Sequence, residues 1–364
     1  KNNIQKQINL FFKKQNMKKK SLSAKKIIHR SLLNHLKNKK INKVYRYFKK
    51  YLDENCDKKT RFGVAISGGP DSLSLAFLTK CYAIKNGIDA NFFIVDHRLR
   101  KNSTKEARSV KISLNRYDVN CKVLVWHGQK PKSNIQGIAR NNRYNLLKKI
   151  CKKKNISHLL IGHHIDDLYE NFFIRLLRGS GLKGLSSFGE PIEDEVNNIK
   201  ILRPLIKFEK KELIYISKNV FNFYIEDPSN QNILFQRIRI RNLISELNKE
   251  GFDKKKLNLT IKNLNSANNA INFYVKKNTE YNSKFFKNKN IYVLNKYFFD
   301  QPDEVILRSI SPFLRKISGR YYSPRGKSIL SLISKIKSRN LKKANLGNCY
   351  IEKINETFVI SKEK

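Results

Sequence analysis

Two strings in this chain pair residue types with spacings that can do chemistry. Ser67-Gly68-Gly69-Pro70-Asp71-Ser72 follows the apolar run Phe62 to Ile66 and precedes an apolar helical pattern from Leu73 to Ile84. A strand that enters a glycine turn and opens a helix leaves backbone N–H groups aimed at one spot, where the helix dipole adds positive potential. Such a turn is a phosphate seat. Its glycines permit close backbone approach, its serines donate hydroxyls, and Asp71 can hold a divalent cation carried by the phosphates. No Gly-Lys-Ser/Thr follows, so it is not a Walker loop, and its spacing is not the dinucleotide fingerprint. The second string is His163-His164-Ile165-Asp166-Asp167 with Glu170. On a helix starting near Asp166, acids three and four residues apart share a face. In so basic a chain, three acids and two histidines beside a phosphate seat suggest recognition of a cation. First-turn acids complementing the dipole, and a metal site whose zinc spacing is not cleanly met, are the alternatives.

These strings need elements to hold them. From Phe62 the pattern alternates strand and helix: strands Phe62–Ile66, Asn91–Val95, Cys121–Trp126 and His158–Gly162, with helices beginning near Asp71, Ser103 and Ile135. Short apolar strands alternating with longer helices predict a parallel sheet covered on both faces, with function at the carboxyl ends of strands. Strand one ends in the glycine turn, strand two in Asp96-His97-Arg98-Leu99-Arg100, and strand four in the acidic string. That convergence predicts a single active site. Arginine pairs at i, i+3 follow, Arg140 with Arg143 and Arg175 with Arg178, and guanidinium forks suit phosphates. An extended piece is expected from Arg203-Pro204-Leu205-Ile206, then a helix from Lys210 to Asn219 and a turn at Glu226-Asp227-Pro228-Ser229-Asn230. The alternating Arg237-Ile238-Arg239-Ile240-Arg241-Asn242 reads equally as RNA contact or as a solvated face with a core stripe.

Composition bounds the partners. The 364 residues hold 76 Lys plus Arg against 29 acids, a formal net charge of +47, which favours a polyanion such as nucleic acid. The abundance of Lys, Asn and Ile also looks like an AT-rich genome, so charge supports RNA binding without proving it. Five scattered cysteines, with no C-x-x-C pair, fit a reducing compartment and offer no zinc framework. No run of about 18 apolar residues is present to span a membrane. Met17 is the only methionine, and residues 1–16 are expected to lie outside the folded part. Residues Ser21 to Lys50 read as basic helix, packed on the next domain in preference to RNA.

The glycine turn resembles the pyrophosphate loop of the ATP pyrophosphatase superfamily, whose members split ATP into AMP and pyrophosphate. The ordered set is more specific. Ser67 to Ser72, Val95 to Arg100, Ala139 to Tyr144, and Gly162 to Asp167 with Glu170 together resemble tRNA(Ile)-lysidine synthases. Arg175 to Leu185, Arg203 to Ile206 and Glu226 to Asn230 extend the resemblance. Leu168 and Asn171 stand where that family has Gln and Thr, and Asn345 to Cys349 replaces one Gly of its Gly-Gly-Cys turn.

The resemblance implies an α/β fold: a parallel-sheet PP-loop ATP pyrophosphatase (adenine nucleotide α-hydrolase-like) domain followed by a mainly helical C-terminal region with a shortened tail. Expected boundaries are 1–59 for a basic N-terminal extension, partly disordered or helical, 60–242 for the ATP-binding domain, and 243–364 for a tRNA-binding region ending in a hairpin. The implied cofactors are ATP and Mg²⁺, and the partners are free L-lysine and an isoleucine tRNA with a CAU anticodon, in a cytoplasmic compartment. A homodimer is compatible with it. Nucleotide contacts fall to Ser67, Gly68, Gly69, Pro70, Asp71, Ser72, Asp96 and His97, and the metal to Asp71. Arg143 and Arg140 would stabilise the adenylated intermediate. Asp167 and Glu170 form the lysine pocket with Asp166, His163 and His164, while Arg175 and Arg178 face the tRNA. A tRNA thiolase of the same superfamily is the main rival, and commonly uses the paired cysteines that this chain lacks.

Overall fold

The structure is a computed structural model that describes residues 23–57, 60–99, 102–129, 135–186, 188, 191–194, 197–226, 236–320, 322–338 and 341–363. Residues 1–16, Arg100 and the turn residues Asp227 to Asn230, singled out above, lie outside the described residues. The chain forms two compact units. One takes in the chain up to Gly179 together with Ser187–Phe252, the other Ser180–Ser186 with Asp253–Lys364.

The first unit is built on strands β1 (Phe62–Ile66), β2 (Ala90–Asp96), β3 (Cys121–Val125), β4 (His158–Leu160), β5 (Ile192–Asp194) and β6 (Ile199–Leu202), in the order β3-β2-β1-β4-β6-β5. All pairs are parallel except β5 with β6. The apolar runs serve both faces of the sheet. Phe62, Val64 and Ile66 enter one core with Phe92, Ile94, Leu160 and Leu202. Phe93, Leu159 and Ile201 enter the opposite core, with Ala65 and Val95 packed against it. Helices α3 (Pro70–Asn86), α4 (Ser103–Asn115), α5 (Ile135–Lys153), α6 (Ile165–Leu176), α8 (Lys210–Phe221) and α9 (Gln236–Lys249) complete the unit.

Residues 23–34 form helix α1 and Lys39–Asn55 helix α2, separated by a 3₁₀ turn at His35–Lys37 and by Asn38, whose side chain accepts from the N–H groups of Lys40 and Ile41. Ile41, Val44, Tyr45, Phe48 and Leu52 recur at helical spacing and enter the same core as β1 and α3. Each such side chain contributes about 1.5–3 kcal/mol by burial.

The carboxyl end of β1 lies where the strand order reverses, with β2 on one side and β4 on the other. Open α/β sheets form their crevice at that point. Strand β4 is shorter than the predicted His158–Gly162, because the chain turns out of the sheet after Leu160, with His163 N–H donating to Ile161 O at 3.0 Å. The extended piece expected from Arg203 instead precedes it, as β6; Pro204 has no N–H to continue a ladder.

The second unit contains α7 (Leu182–Ser186), α10 (Lys254–Asn282), α11 (Asp303–Ser318) and α12 (Gly326–Lys337). It also holds a five-stranded antiparallel sheet, ordered β7-β8-β11-β10-β9, where a mainly helical region was expected. Its strands are β7 (Ser283–Phe286), β8 (Ile291–Leu294), β9 (Lys343–Asn345), β10 (Cys349–Ile354) and β11 (Thr357–Lys362). Only the β10–β11 hairpin was expected. Among the described residues, no helix is long and apolar enough to cross a membrane.

Gly162 is where β4 and α3 meet. A Cβ there would stand 3.1 Å from the backbone C and O of Asp71 and 3.2 Å from Ser72 N. Those are backbone atoms of a helix start and cannot swing aside. Gly162→Ala is expected to cost about 1–3 kcal/mol by overpacking, read as a lowered urea midpoint with an unchanged slope.

Candidate active site

The glycine turn carries Gly68 at φ 89°, a backbone state open to glycine, and a Cβ there would also stand 2.6 Å from Val110 Cγ2. Gly69 caps α3 and Pro70 occupies its first turn. Ser72 folds back into the turn. Its Oγ accepts from Ser67 N at 3.1 Å and Gly68 N at 3.2 Å, and donates to Gly69 O at 3.0 Å. Two N–H groups expected to face a phosphate are therefore held by Ser72, so an anion is left the N–H of Gly69 and those opening α3.

Beside the turn lies a cleft of roughly 180 Å³, lined by Ser67, Asp71 and Ser72, by Arg140, Arg143 and Tyr144 of α5, by Gly162, His163 and Asp167, and by Arg237 of α9. Arg140 and Arg143 both lie against the Tyr144 ring, at 5.2 and 5.8 Å. Burial presses the Arg143 guanidinium toward weaker proton binding, and Arg140 and Arg237 add to this, with Tyr144 and Asp167 opposing. Three arginines against the two carboxylates of Asp71 and Asp167 leave a positive surplus that suits a polyphosphate.

Behind the cleft the acidic cluster already encloses an imidazole. His164 is buried, with Nε2 3.7 Å from Asp71 Oδ2 and 3.5 Å from Asp167 Oδ2, and Nδ1 3.5 Å from Asp166 Oδ2. Burial alone would lower its pKa, but the three carboxylates outweigh it and raise it. Asp167 Oδ2 also accepts from His164 N at 3.0 Å. Burial would raise the Asp167 pKa, yet the two histidines and this N–H hold it below the usual range. Asp166 turns to α8, accepting from Lys210 N at 3.2 Å. His163 turns to Arg203, whose Nε donates to His163 Nδ1 at 3.1 Å. The string therefore does not converge as a metal site, and among the described residues no group of three or more His, Cys, Asp or Glu is arranged to hold an ion. A nucleotide-borne Mg²⁺ asks less, one or two carboxylates. Asp71 fits that need: its Oδ1 is buried with no hydrogen-bond partner among the described residues, and burial raises its pKa against the pull of His164.

Glu170 stands beyond the cleft lining. Its Oε1 accepts from Arg241 Nε at 2.5 Å, and its Oε2 is buried without a partner among the described residues. Burial raises its pKa, with Arg241 opposing. Arg241 and Arg237 both come from α9, four residues apart on one face, while Ile238 and Ile240 pack into the core and Arg239 faces solvent. Neither reading of the Arg-Ile string had assigned them here. The i, i+4 spacing was the available signal.

Other expected residues sit elsewhere. Asp96 accepts from Arg98 N at 3.0 Å, Ser103 Oγ at 2.8 Å and Thr104 Oγ1 at 2.7 Å, so its carboxylate shapes the β2–α4 loop instead of reaching the cleft. His97 is half-buried and outside the lining. Helix α6 ends at Leu176, so Arg175 and Arg178 do not share a helical face, and Arg178 donates to Gln236 Oε1 at 2.8 Å.

The sequence pattern of the PP-loop domain family matches residues 34–247. The tRNA(Ile)-lysidine synthase of Wolbachia pipientis wMel is 32% identical over 324 residues, covering 87% of this chain and 74% of the relative. That of Orientia tsutsugamushi (strain Boryong) is 33% identical, covering 84% and 70%. Among solved structures, the U34-tRNA thiolase NcsA from Methanococcus maripaludis matches with a TM-score of 0.50 at 19% identity, over 58% of this chain and 73% of that one. At that identity the likeness concerns the fold alone.

His163 supplies a pH test. Burial holds its pKa down to about 3, so the folded protein keeps it neutral while the unfolded chain protonates it below about 6.5. Its contribution is complete above that value and is lost as pH falls toward about 3, at roughly 1.4 kcal/mol per pH unit. His163→Gln is expected to flatten the fall of stability between pH 6.5 and 4, measured by urea unfolding. Parallel wild-type and variant curves would contradict it.

Proposed function

The chain belongs to the tRNA(Ile)-lysidine synthase family of PP-loop enzymes, and on that footing we propose that it attaches free lysine to C2 of the wobble cytidine in the CAU anticodon of an isoleucine tRNA. The modified base would pair with A in place of G, changing decoding from AUG to AUA. Cytosine O2 is a poor leaving group, so ATP first adenylates it and pyrophosphate departs. The lysine ε-amine then attacks C2, the C2–O bond breaks, AMP leaves, and one proton is released. Work on a tRNA with ATP suits a cytoplasmic enzyme.

The observation that carries this reading is that the glycine turn, three arginines and the acidic start of α6 meet at one cleft. ATP would lay its β- and γ-phosphates against Gly69 and the first turn of α3, with Arg140, Arg143 and Arg237 over the phosphate that is transferred. Magnesium arriving with the nucleotide would be held by Asp71 and would offset phosphate charge there. An unpaired anticodon base can be splayed into the cleft without opening a duplex.

For lysine, Glu170 is the group to watch. Arg241 stands on it as an internal cation, and an ammonium of lysine would exchange with that guanidinium or share the open Oε2. A base must take the proton that leaves the ε-ammonium. Glu170, with a raised pKa, is better suited than Asp167, whose pKa is lowered. His163 is too weak a base, and His164 is already engaged by the three carboxylates around it.

The deciding experiment is incorporation of radiolabelled lysine, with ATP and Mg²⁺, into an unmodified isoleucine tRNA transcript bearing CAU, against a methionine tRNA with the same anticodon. Label in the isoleucine tRNA alone, with AMP formed, supports the proposal; tRNA-dependent ATP cleavage without label would overturn it. Glu170→Gln is expected to raise the lysine KM roughly 10- to 100-fold, the worth of a charge-assisted contact, while the ATP KM moves little. An unchanged lysine KM would remove Glu170 from the pocket.

A further inference from the structure

Helix α2 treats its two halves differently. Its inner face is in the core throughout, and its outer face is basic throughout, but only the second half is neutralised. Lys49 pairs with Asp53 at 2.5 Å and Lys50 with Glu54 at 3.8 Å. In the first half, Lys39, Lys43 and Arg46 stand at i, i+4 and i+7, with Lys37 just before the helix. Together with Asn42 they line a shallow recess of about 440 Å³. Among the described residues, none of these four cations has a carboxylate within ion-pair reach. The arrangement costs stability: the first turn carries lysines and no acid, against the helix dipole, and Lys39 and Lys43 repel across one turn.

The chemistry around the recess narrows what would offset that cost. An amphipathic helix that lies on a membrane needs an exposed apolar face, and the apolar face of α2 is already buried. A protein partner needs aromatic or aliphatic anchors at the centre of the contact, and no such side chain lines the recess. Cations without anchors fit a phosphodiester backbone, which is read by charge and not by base. The recess shares no lining residue with the catalytic cleft. We infer that the outer face of the first half of α2 is a docking surface for the RNA backbone, which grips the substrate tRNA outside the cleft where the base reacts. This rests on the reading that the substrate is a tRNA.

The test is the salt dependence of binding. The full chain, Lys39→Gln/Lys43→Gln/Arg46→Gln, and the control Lys49→Gln/Lys50→Gln/Lys211→Gln are titrated with the unmodified isoleucine tRNA transcript across a salt series. Both triple variants remove three exposed positive charges, but each control lysine already has a carboxylate partner. The first variant is expected to bind more weakly, with a plot of log affinity against log salt shallower by about 2 to 3, one lost phosphate contact per residue. The control is expected to keep the wild-type slope. Equal flattening in both would mean that overall charge alone matters, and flattening in neither would mean no contact. Either result overturns the inference, as would failure of the wild type to bind the transcript. If the slopes differ as expected but no lysine is incorporated, the docking surface stands and the proposed reaction falls.

Discussion

The site rests on a constraint that burial imposes: a charge removed from water needs a compensating partner inside the protein. Asp71, Asp166 and Asp167 surround the His164 imidazole, and Glu170 holds Arg241. Arg203 donates to a neutral His163 and lies over the Phe188 ring at 5.2 Å. Such internal pairing opposes the rise in pKa that burial imposes on the acids, and at Asp167 it outweighs that rise. It also determines which groups remain for ligands. Among the described residues, the carboxylate oxygens of the site left without a partner are Asp71 Oδ1 and Glu170 Oε2, and both can take a cation without first unfolding a neighbour.

Compensation at these distances requires that loops far apart in sequence arrive together, and the sheet order does this. Because β1 sits between β2 and β4, the turn after β1 and the turn after β4 emerge side by side. Gly162 lets the second turn lie against the backbone of the first. Helix α9 then brings Arg237 and Arg241 to the acids from a distant part of the sequence. The helices 23–34 and Lys39–Asn55 close the same core from below one face of the sheet, so their apolar stripe supports the element that carries Asp71.

The parts legible in the sequence were those set by local pattern. Strands β1 to β4 announce themselves as short apolar runs, and the helix after the glycine turn by its apolar pattern from Leu73 to Ile84. The convergence of Ser67 to Ser72 with His163 to Asp167 followed from strand ends alone. What was not legible depended on partners. Asp96 looks like a site residue until Ser103 and Thr104 are seen to consume its carboxylate. Arg241 looks like surface charge until Glu170 is seen beneath it. Strands β7 and β8, four residues each, carry too little alternation to stand out, and their pairing with β11 is what makes them strands.

The division of positive charge follows the same physics. Most of the basic residues of this chain are lysine, yet the cations of the cleft and its acidic wall are Arg140, Arg143, Arg203, Arg237 and Arg241. A guanidinium keeps its proton when buried and offers a planar fork to a phosphate or carboxylate, whereas a buried lysine readily loses its charge. The outer face of α2 faces water, where a flexible ammonium is as good as a fork for following a phosphate chain, and three of the four cations lining the recess there are lysine. Net charge alone therefore says little about where this protein meets its substrate. The choice of cation at each depth of burial separates a place suited to hold a phosphate in register from one suited only to attract a backbone.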